Sequence, residues 1–97
     1  MPTYIHLINQ TQQGITNIKD VPARIEASTK AVEAAGGKQI GFYAVMGQYD
    51  FVGIAEFPSD EAALAFVLAL GARGTVRTTT LKAFTEEEFA EIIKKLP

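Results

Sequence analysis

His6 is the only histidine among 97 residues, and there is no cysteine, so His6 is the one side chain whose charge ordinarily changes near neutral pH. It stands in the middle of Thr3-Tyr4-Ile5-His6-Leu7-Ile8-Asn9, a run rich in β-branched and aromatic residues. There it can act as a general base, or it can be a core residue with both ring nitrogens hydrogen-bonded; its apolar neighbours favour the second. Asp50 is the other candidate base. Next to Tyr49 and just after Gly47, it equally suits a turn, bonding its own backbone or pairing with Arg24 or Arg77.

Ligand binding would draw on a wider set: His6, Tyr43, Tyr49, Arg77, Thr78 and Thr80. Tyr43 carries a hydroxyl that needs a partner if buried, and a ligand could supply one. Tyr49 packs over its hairpin or reaches a ligand. In Arg77-Thr78-Thr79-Thr80 the guanidinium fork matches carboxylates and phosphates, although threonines also simply favour strands. A structural ion pair from Arg77 to Asp50 or a helix acid is the more ordinary use. Gly14 could let a ligand approach the backbone, but a lone glycine is weak support. One imidazole without thiolates makes a poor metal site, and no cofactor is implied. Ser59 reads as a helix cap and Ser28 as a helix residue, so no hydrolase constellation forms, and no glycine-rich phosphate loop follows a strand.

Composition narrows the classes further. A net charge of −2, with only Lys94 and Lys95 adjacent, lacks the basic stripe of a nucleic-acid binder. The longest uncharged apolar run, residues 62–72, falls well short of the roughly twenty residues that cross a bilayer. The first residues lack the basic start and apolar core of a signal peptide. The absence of cysteine suits a reducing cytoplasm. The length fits one domain spanning residues 1–97, and 47% hydrophobic residues suffice for a core.

These side chains need elements to hold them. Residues 3–9 read as a strand with Tyr4, His6 and Ile8 on one face and Ile5 and Leu7 on the other. Both sets are largely apolar, so the strand should be central and covered on two sides. Residues 11–35 read as helical, with Ile15, Ile18, Ile25 and Val32 as one stripe. Pro22 interrupts them, which predicts a short helix to Lys19, a kink, and a second helix ending at Gly36-Gly37. Glu26 and Lys30 form an i,i+4 pair. Residues 40–57 form a hairpin broken near Gly47. Pro58-Ser59-Asp60-Glu61 starts a helix that is apolar nearly all round, so another chain could cover it. Residues 75–84 are the last strand, and Thr85-Glu86-Glu87-Glu88 is a capping box opening a helix striped with Phe89, Ile92, Ile93 and Leu96.

Strand, helix, strand, strand, helix, strand and a final helix make the split βαββαβ pattern of α+β, ferredoxin-like folds, with an antiparallel four-stranded sheet and a C-terminal extra helix. Helices then cover one face only. The other face is also apolar, and the residue 40–46 edge strand carries no charge. Two sheets packed face to face, a homodimeric α+β barrel, would cover both.

Several segments together carry a family resemblance: Thr11-Gln12-Gln13-Gly14-Ile15, Pro22-Ala23-Arg24, Gly36-Gly37-Lys38 with Phe42-Tyr43, Gly47-Gln48-Tyr49-Asp50-Phe51, and Gly74-Thr75-Val76-Arg77-Thr78-Thr79-Thr80. The chain resembles the GYD family of small bacterial and archaeal proteins, in the dimeric α+β barrel superfamily. Here Gln48 separates the glycine and tyrosine of the family's namesake motif. The resemblance implies the fold and a tendency to oligomerise. It brings no catalytic residues, and the wider superfamily ranges from cofactor-free monooxygenases, haem-handling enzymes and lactone isomerases to ligand-sensing domains, so fold alone selects no chemistry.

Three functions fit. The first is a homo-oligomeric barrel protein binding a small, partly apolar molecule between sheet and helices, with His6, Tyr43 and Arg77 as polar contacts. The second is a cofactor-independent monooxygenase or isomerase using His6 or Asp50 as base. The third is an assembly module without a ligand. A cavity of roughly 300 Å³ separates the first two from the third.

Overall fold

A computed structural model describes residues 1–97. In order come β1 (Thr3–Gln10), α1 (Gln12–Thr16), a 3-10 turn (Ile18–Asp20), α2 (Val21–Ala34), β2 (Lys38–Ala44), β3 (Phe51–Glu56), α3 (Asp60–Ala72), β4 (Val76–Ala83) and α4 (Glu86–Lys94). The strands form one antiparallel sheet ordered β2-β3-β1-β4. Each long helix crosses over an intervening strand, which is the ferredoxin-like topology the element order predicts.

Local chemistry sets the boundaries. Pro22 occupies the first turn of α2, where its missing N–H costs nothing. Gly36 ends that helix with φ of 83°. Ser59 Oγ caps α3 by accepting from the Ala62 amide at 3.2 Å. Thr85 and Glu88 make the reciprocal capping box of α4, with bonds of 3.1 and 2.8 Å.

Strand register assigns the faces. Tyr4, His6 and Ile8 of β1 stand beside Ala55, Gly53 and Phe51 of β3 and beside Lys82, Thr80 and Thr78 of β4. This face meets α2 and α3, and the core forms there from Tyr4, Val32, Ala55, Phe57 and Ala63, with Phe66 packed against it. The opposite face presents Ile5, Leu7, Val52, Ile54, Tyr43 and Leu81, and no helix covers it. The predicted α2 stripe divides at the kink. Val32 is fully buried and Ile25 half-buried, whereas Ile15 and Ile18 are exposed, because the 3-10 turn takes them out of helical phase with α2.

α4 stands off from the body. Every residue from 84 to 97 is exposed, including Phe89 at 57%. The radius of gyration is 14.6 Å, against roughly 12.5 Å for a compact chain of this length. The accessible surface is 6483 Å², about 1,000 Å² more than the roughly 5,400 Å² of a folded monomer of this mass.

Gly14 has a different role from the one its sequence position suggests. A Cβ on Gly14 would lie 2.2 Å from the Thr75 carbonyl oxygen, so the close neighbour is the chain itself and not a ligand. Thr11 completes the joint. Its amide donates to Thr75 O at 3.0 Å, and its hydroxyl donates to Gly74 O at 2.5 Å while accepting from the Gly14 amide at 3.3 Å. Gly14→Ala is expected to destabilise the fold by about 1–3 kcal/mol through overpacking. Gly71→Ala, where a Cβ meets nothing within 4 Å inside α3, should gain about 0.5–1 kcal/mol. Urea denaturation of the two variants checks both signs.

Candidate functional site

The side chains with unspent hydrogen-bonding capacity gather between the sheet and α2 and α3. His6 is 4% exposed, its ring wedged against Phe66 (centroids 5.6 Å apart) and Phe57 (6.2 Å). Its Nδ1 lies 2.9 Å from Thr80 Oγ1, across the β1–β4 pairing that sets the two residues side by side. Its Nε2 is buried and has no partner. The imidazole is therefore half satisfied, between the two alternatives the sequence left open. Burial pushes its pKa below the ordinary value, because a charged ring would lose hydration among aromatic neighbours.

His6 opens onto a cavity of ≈ 70 Å³ whose walls include Ile8, Ile25, Phe42, Phe51 and Phe66. Two arginines, Arg24 of α2 and Arg73 at the end of α3, also line it, and no carboxylate does. Arg24 Nη2 donates to Gly14 O at 3.2 Å and Asn17 O at 2.9 Å, which holds the α1 corner, while its Nε is buried without a partner. Gln10 Oε1 is the third buried polar atom left unpaired. Such atoms cost stability unless something else meets them. At ≈ 70 Å³ the cavity falls well short of the size expected of a drug-sized pocket. A more open groove of ≈ 260 Å³ runs between α3 and β4, past Tyr4, Asp60, Leu64 and Lys82.

The other sequence candidates lie elsewhere. Tyr43 is on the helix-free face and 59% exposed, because its register opposite Val52 turns it away from α2. Tyr49 sits in the hairpin loop outside the cavity lining. Arg77 is exposed on the helix-free face of β4 and forms no ion pair, contrary to the expected bridge to Asp50 or a helix acid. Asp50 bonds neither its own turn nor an arginine. Its Oδ2 accepts from the Gln10 amide at 2.8 Å, its own amide donates to Ile8 O at 2.9 Å, and its carbonyl accepts from the Val45 amide at 2.9 Å. The carboxylate thus ties the hairpin to the end of β1. Thr80 meets His6, and Thr78 lies on the same face one pair along. Arg24 and Arg73, absent from the sequence candidates for ligand contact, line the same cavity as His6 once α2 and α3 pack on the sheet; no local sequence signal marks them.

Chemically, the arrangement offers a neutral imidazole with one free nitrogen, two guanidinium groups and an apolar wall. No second titratable acid or base lines the cavity to exchange protons with His6. No group of three His, Cys, Asp or Glu side chains could hold a metal ion. No helix is long and apolar enough to cross a membrane.

At the other end of β1, Tyr4 donates its hydroxyl proton to Asp60, which also bridges Lys82 at 3.0 Å. Burial and then the Asp60 bond push the Tyr4 hydroxyl up to about 12. The same bond, with help from Lys82, holds the Asp60 carboxyl below its usual value.

Residues 4–93 match the GYD domain model. A Thermus thermophilus protein described as glutamine synthetase and cystathionine beta-lyase binding protein is 34% identical over 97 residues, covering 99% of each chain. Among solved structures, a Thermus thermophilus protein superposes with a TM-score of 0.55 at 26% identity, covering 88% of this chain and 95% of that one. A feast or famine regulatory protein from M. tuberculosis, solved with L-methionine, superposes with a TM-score of 0.66 at 18% identity over 88% of this chain, which spans about half (51%) of that regulator's length.

Two pH limits follow from the buried rings. The unfolded Tyr4 titrates near 10.0 and the folded one near 12, so its contribution is present below pH 10 and lost as pH rises toward 12. Tyr4→Phe should flatten stability over that range. His6 has the lower pKa when folded, so the unfolded chain binds more protons and stability falls as pH drops below about 6.5. His6→Gln should remove that slope. Urea midpoints measured from pH 5 to 11.5 check both.

Proposed function

The chain belongs to the GYD domain family, and on that footing we propose that it is a cytoplasmic, homo-oligomeric binding module whose copies clasp through the helix-free face of the sheet. The single observation behind this is the uncovered surface. Ile5, Leu7, Val52 and Ile54 lie on one layer with nothing over them, and α4 holds Phe89, Ile92 and Ile93 in the open. Monomers seldom expose an apolar patch above a few hundred Å². The surplus surface of about 1,000 Å² is close to the roughly 800 Å² that each partner contributes to a standard interface. A second copy is the occupant that fits, because it brings an identical sheet face and an identical terminal stripe, and a two-fold pairing covers both at once. Leu64 and Leu68, the latter 63% exposed on the outer side of α3, remain for a further partner. The description of the 34% identical relative supports a protein partner for the assembled form, glutamine synthetase and cystathionine beta-lyase being the first to test.

A second reading, a small and partly apolar ligand between sheet and helices, is favoured by one observation, the unpartnered Nε2 of His6, a residue that lines a largely apolar cavity. The size of that cavity limits such a ligand to a few heavy atoms in this conformation.

Leu7 and Val52 are paired neighbours at the centre of the helix-free face. Leu7→Lys with Val52→Lys is expected to weaken self-association at least about 100-fold by burying charge, with the far-ultraviolet circular dichroism unchanged. Light scattering behind a sizing column reads the mass; a double variant that assembles like the parent overturns the interface. Surface-plasmon measurements against purified glutamine synthetase and cystathionine beta-lyase test the partner reading, and flat responses from both would count against it.

A further inference from the structure

We infer that the cavity beneath α2 and α3 is a binding site for a small monocarboxylate, its anionic head held by Arg73, Arg24 and His6 and its short apolar body held against Phe42, Phe51 and Phe66. The inference rests on the ligand reading above and gives it a chemical class.

Charge is the first support. Two guanidinium groups line one small, largely apolar space, and no acid among its walls offsets them. Neither arginine forms an ion pair anywhere in the chain. Arg73 has an ordinary role at the end of α3, where a cation suits the helix dipole. That role does not call for a second arginine from another helix in the same space. Arg24 is held by two backbone carbonyls through Nη2, which leaves its buried Nε–H as a fixed and unused donor.

The second support is independent of charge. His6 is more than nine-tenths buried, it is among the residues lining the cavity, and its Nε2 has no partner. The Thr80 hydroxyl can donate to Nδ1 or accept from it; when it donates, the proton of the neutral ring sits on Nε2, the tautomer that a carboxylate would draw out. Thr80 is therefore a positioning residue that accommodates this tautomer. Side chains from three elements, β1, α2 and α3, line a space whose other walls offer only neutral acceptors, the oxygens of Ser28, Thr29, Gln39 and Thr75. A carboxylate has two oxygens with about four acceptor sites and can serve several of these donors, and such charge-assisted bonds are the stronger kind.

The walls and the volume set the rest of the class. About 70 Å³ is several times the roughly 10–15 Å³ of such space that one water needs, which admits a carboxyl group with a short branched or unsaturated tail and excludes a nucleotide or a peptide. Phosphate fills the polar end but leaves the Phe42–Phe51 pair, with centroids 5.3 Å apart, without a contact.

Isobutyrate, its uncharged isostere isobutyramide, and inorganic phosphate separate these features. Each is titrated at pH 7 into the full ¹⁵N-labelled chain, with the His6 ring nitrogens and the arginine Nε–H signals followed by NMR. Isobutyrate should bind saturably and at least about tenfold more tightly than isobutyramide or phosphate. Arg73→Gln, at an exposed helix end with no hydrogen bond to lose, should erase the preference for isobutyrate over isobutyramide. Equal binding of isobutyramide overturns the anion site while leaving the ligand reading intact. Equal binding of phosphate overturns the apolar half. No saturable shift from isobutyrate or isobutyramide below about 100 mM overturns both the class and the ligand reading beneath it.

Discussion

A four-stranded sheet with apolar side chains on both faces and helices on only one is the constraint from which the rest of this molecule follows. Strand alternation sends Tyr4, His6 and Ile8 toward the helices and Ile5 and Leu7 to the bare side. The whole chain, α4 included, measures 18 Å in its shortest dimension and 52 Å in its longest. Few side chains are completely enclosed, and Val32 and Phe57 are the largest of them. Much of the hydrophobic driving force is therefore not collected within one copy, since apolar area contributes only once it leaves water. The bare sheet face, the exposed leucines of α3 and the detached stripe of α4 are three expressions of the same deficit.

The end of the sheet near Gln10 is, by contrast, tightly stitched. Asp50 ties the hairpin to β1, Thr11 ties the start of α1 to Gly74 and Thr75, and Arg24 ties α2 back to Gly14. Whereas Gly36-Gly37-Lys38 lies at the other end of the sheet beside Glu56, four of the sequence segments that carry the family resemblance, around Gly14, Arg24, Asp50 and Gly74, thus meet in space around one corner. The contacts there are mostly side chain to backbone, the type that fixes chain path without adding apolar area. A rigid corner of this kind holds His6, Arg24 and Arg73 in one place even though the opposite face of the sheet is bare.

Much of the fold was legible because its signals are local. Pro22, Gly36, Ser59 and the Thr85–Glu88 pair act within one turn of their own positions, and each does what its residue type predicts. The faces of β1 were equally readable from alternation. The functional corner was not, because its partners are far apart in sequence. Asp50 looks like a turn former until β1 is laid beside it, and Arg77 looks like an ion-pair partner for Asp50 until register turns it to the bare face. Gly14 looks open to a ligand until Thr75 O occupies the space. Arg24 and Arg73 look like surface residues of two helices, and only the packing of those helices over His6 brings them to one cavity.

Coverage of the helix-free face by a second copy in solution is the central claim. Sedimentation velocity of the unaltered chain, followed through serial dilution in dilute buffer, tests this most directly. A particle of twice the 10.5 kDa chain mass, persisting to micromolar concentration or below, is the predicted result. A single 10.5 kDa chain at every concentration, with fast amide exchange along the exposed edge strands, would contradict it.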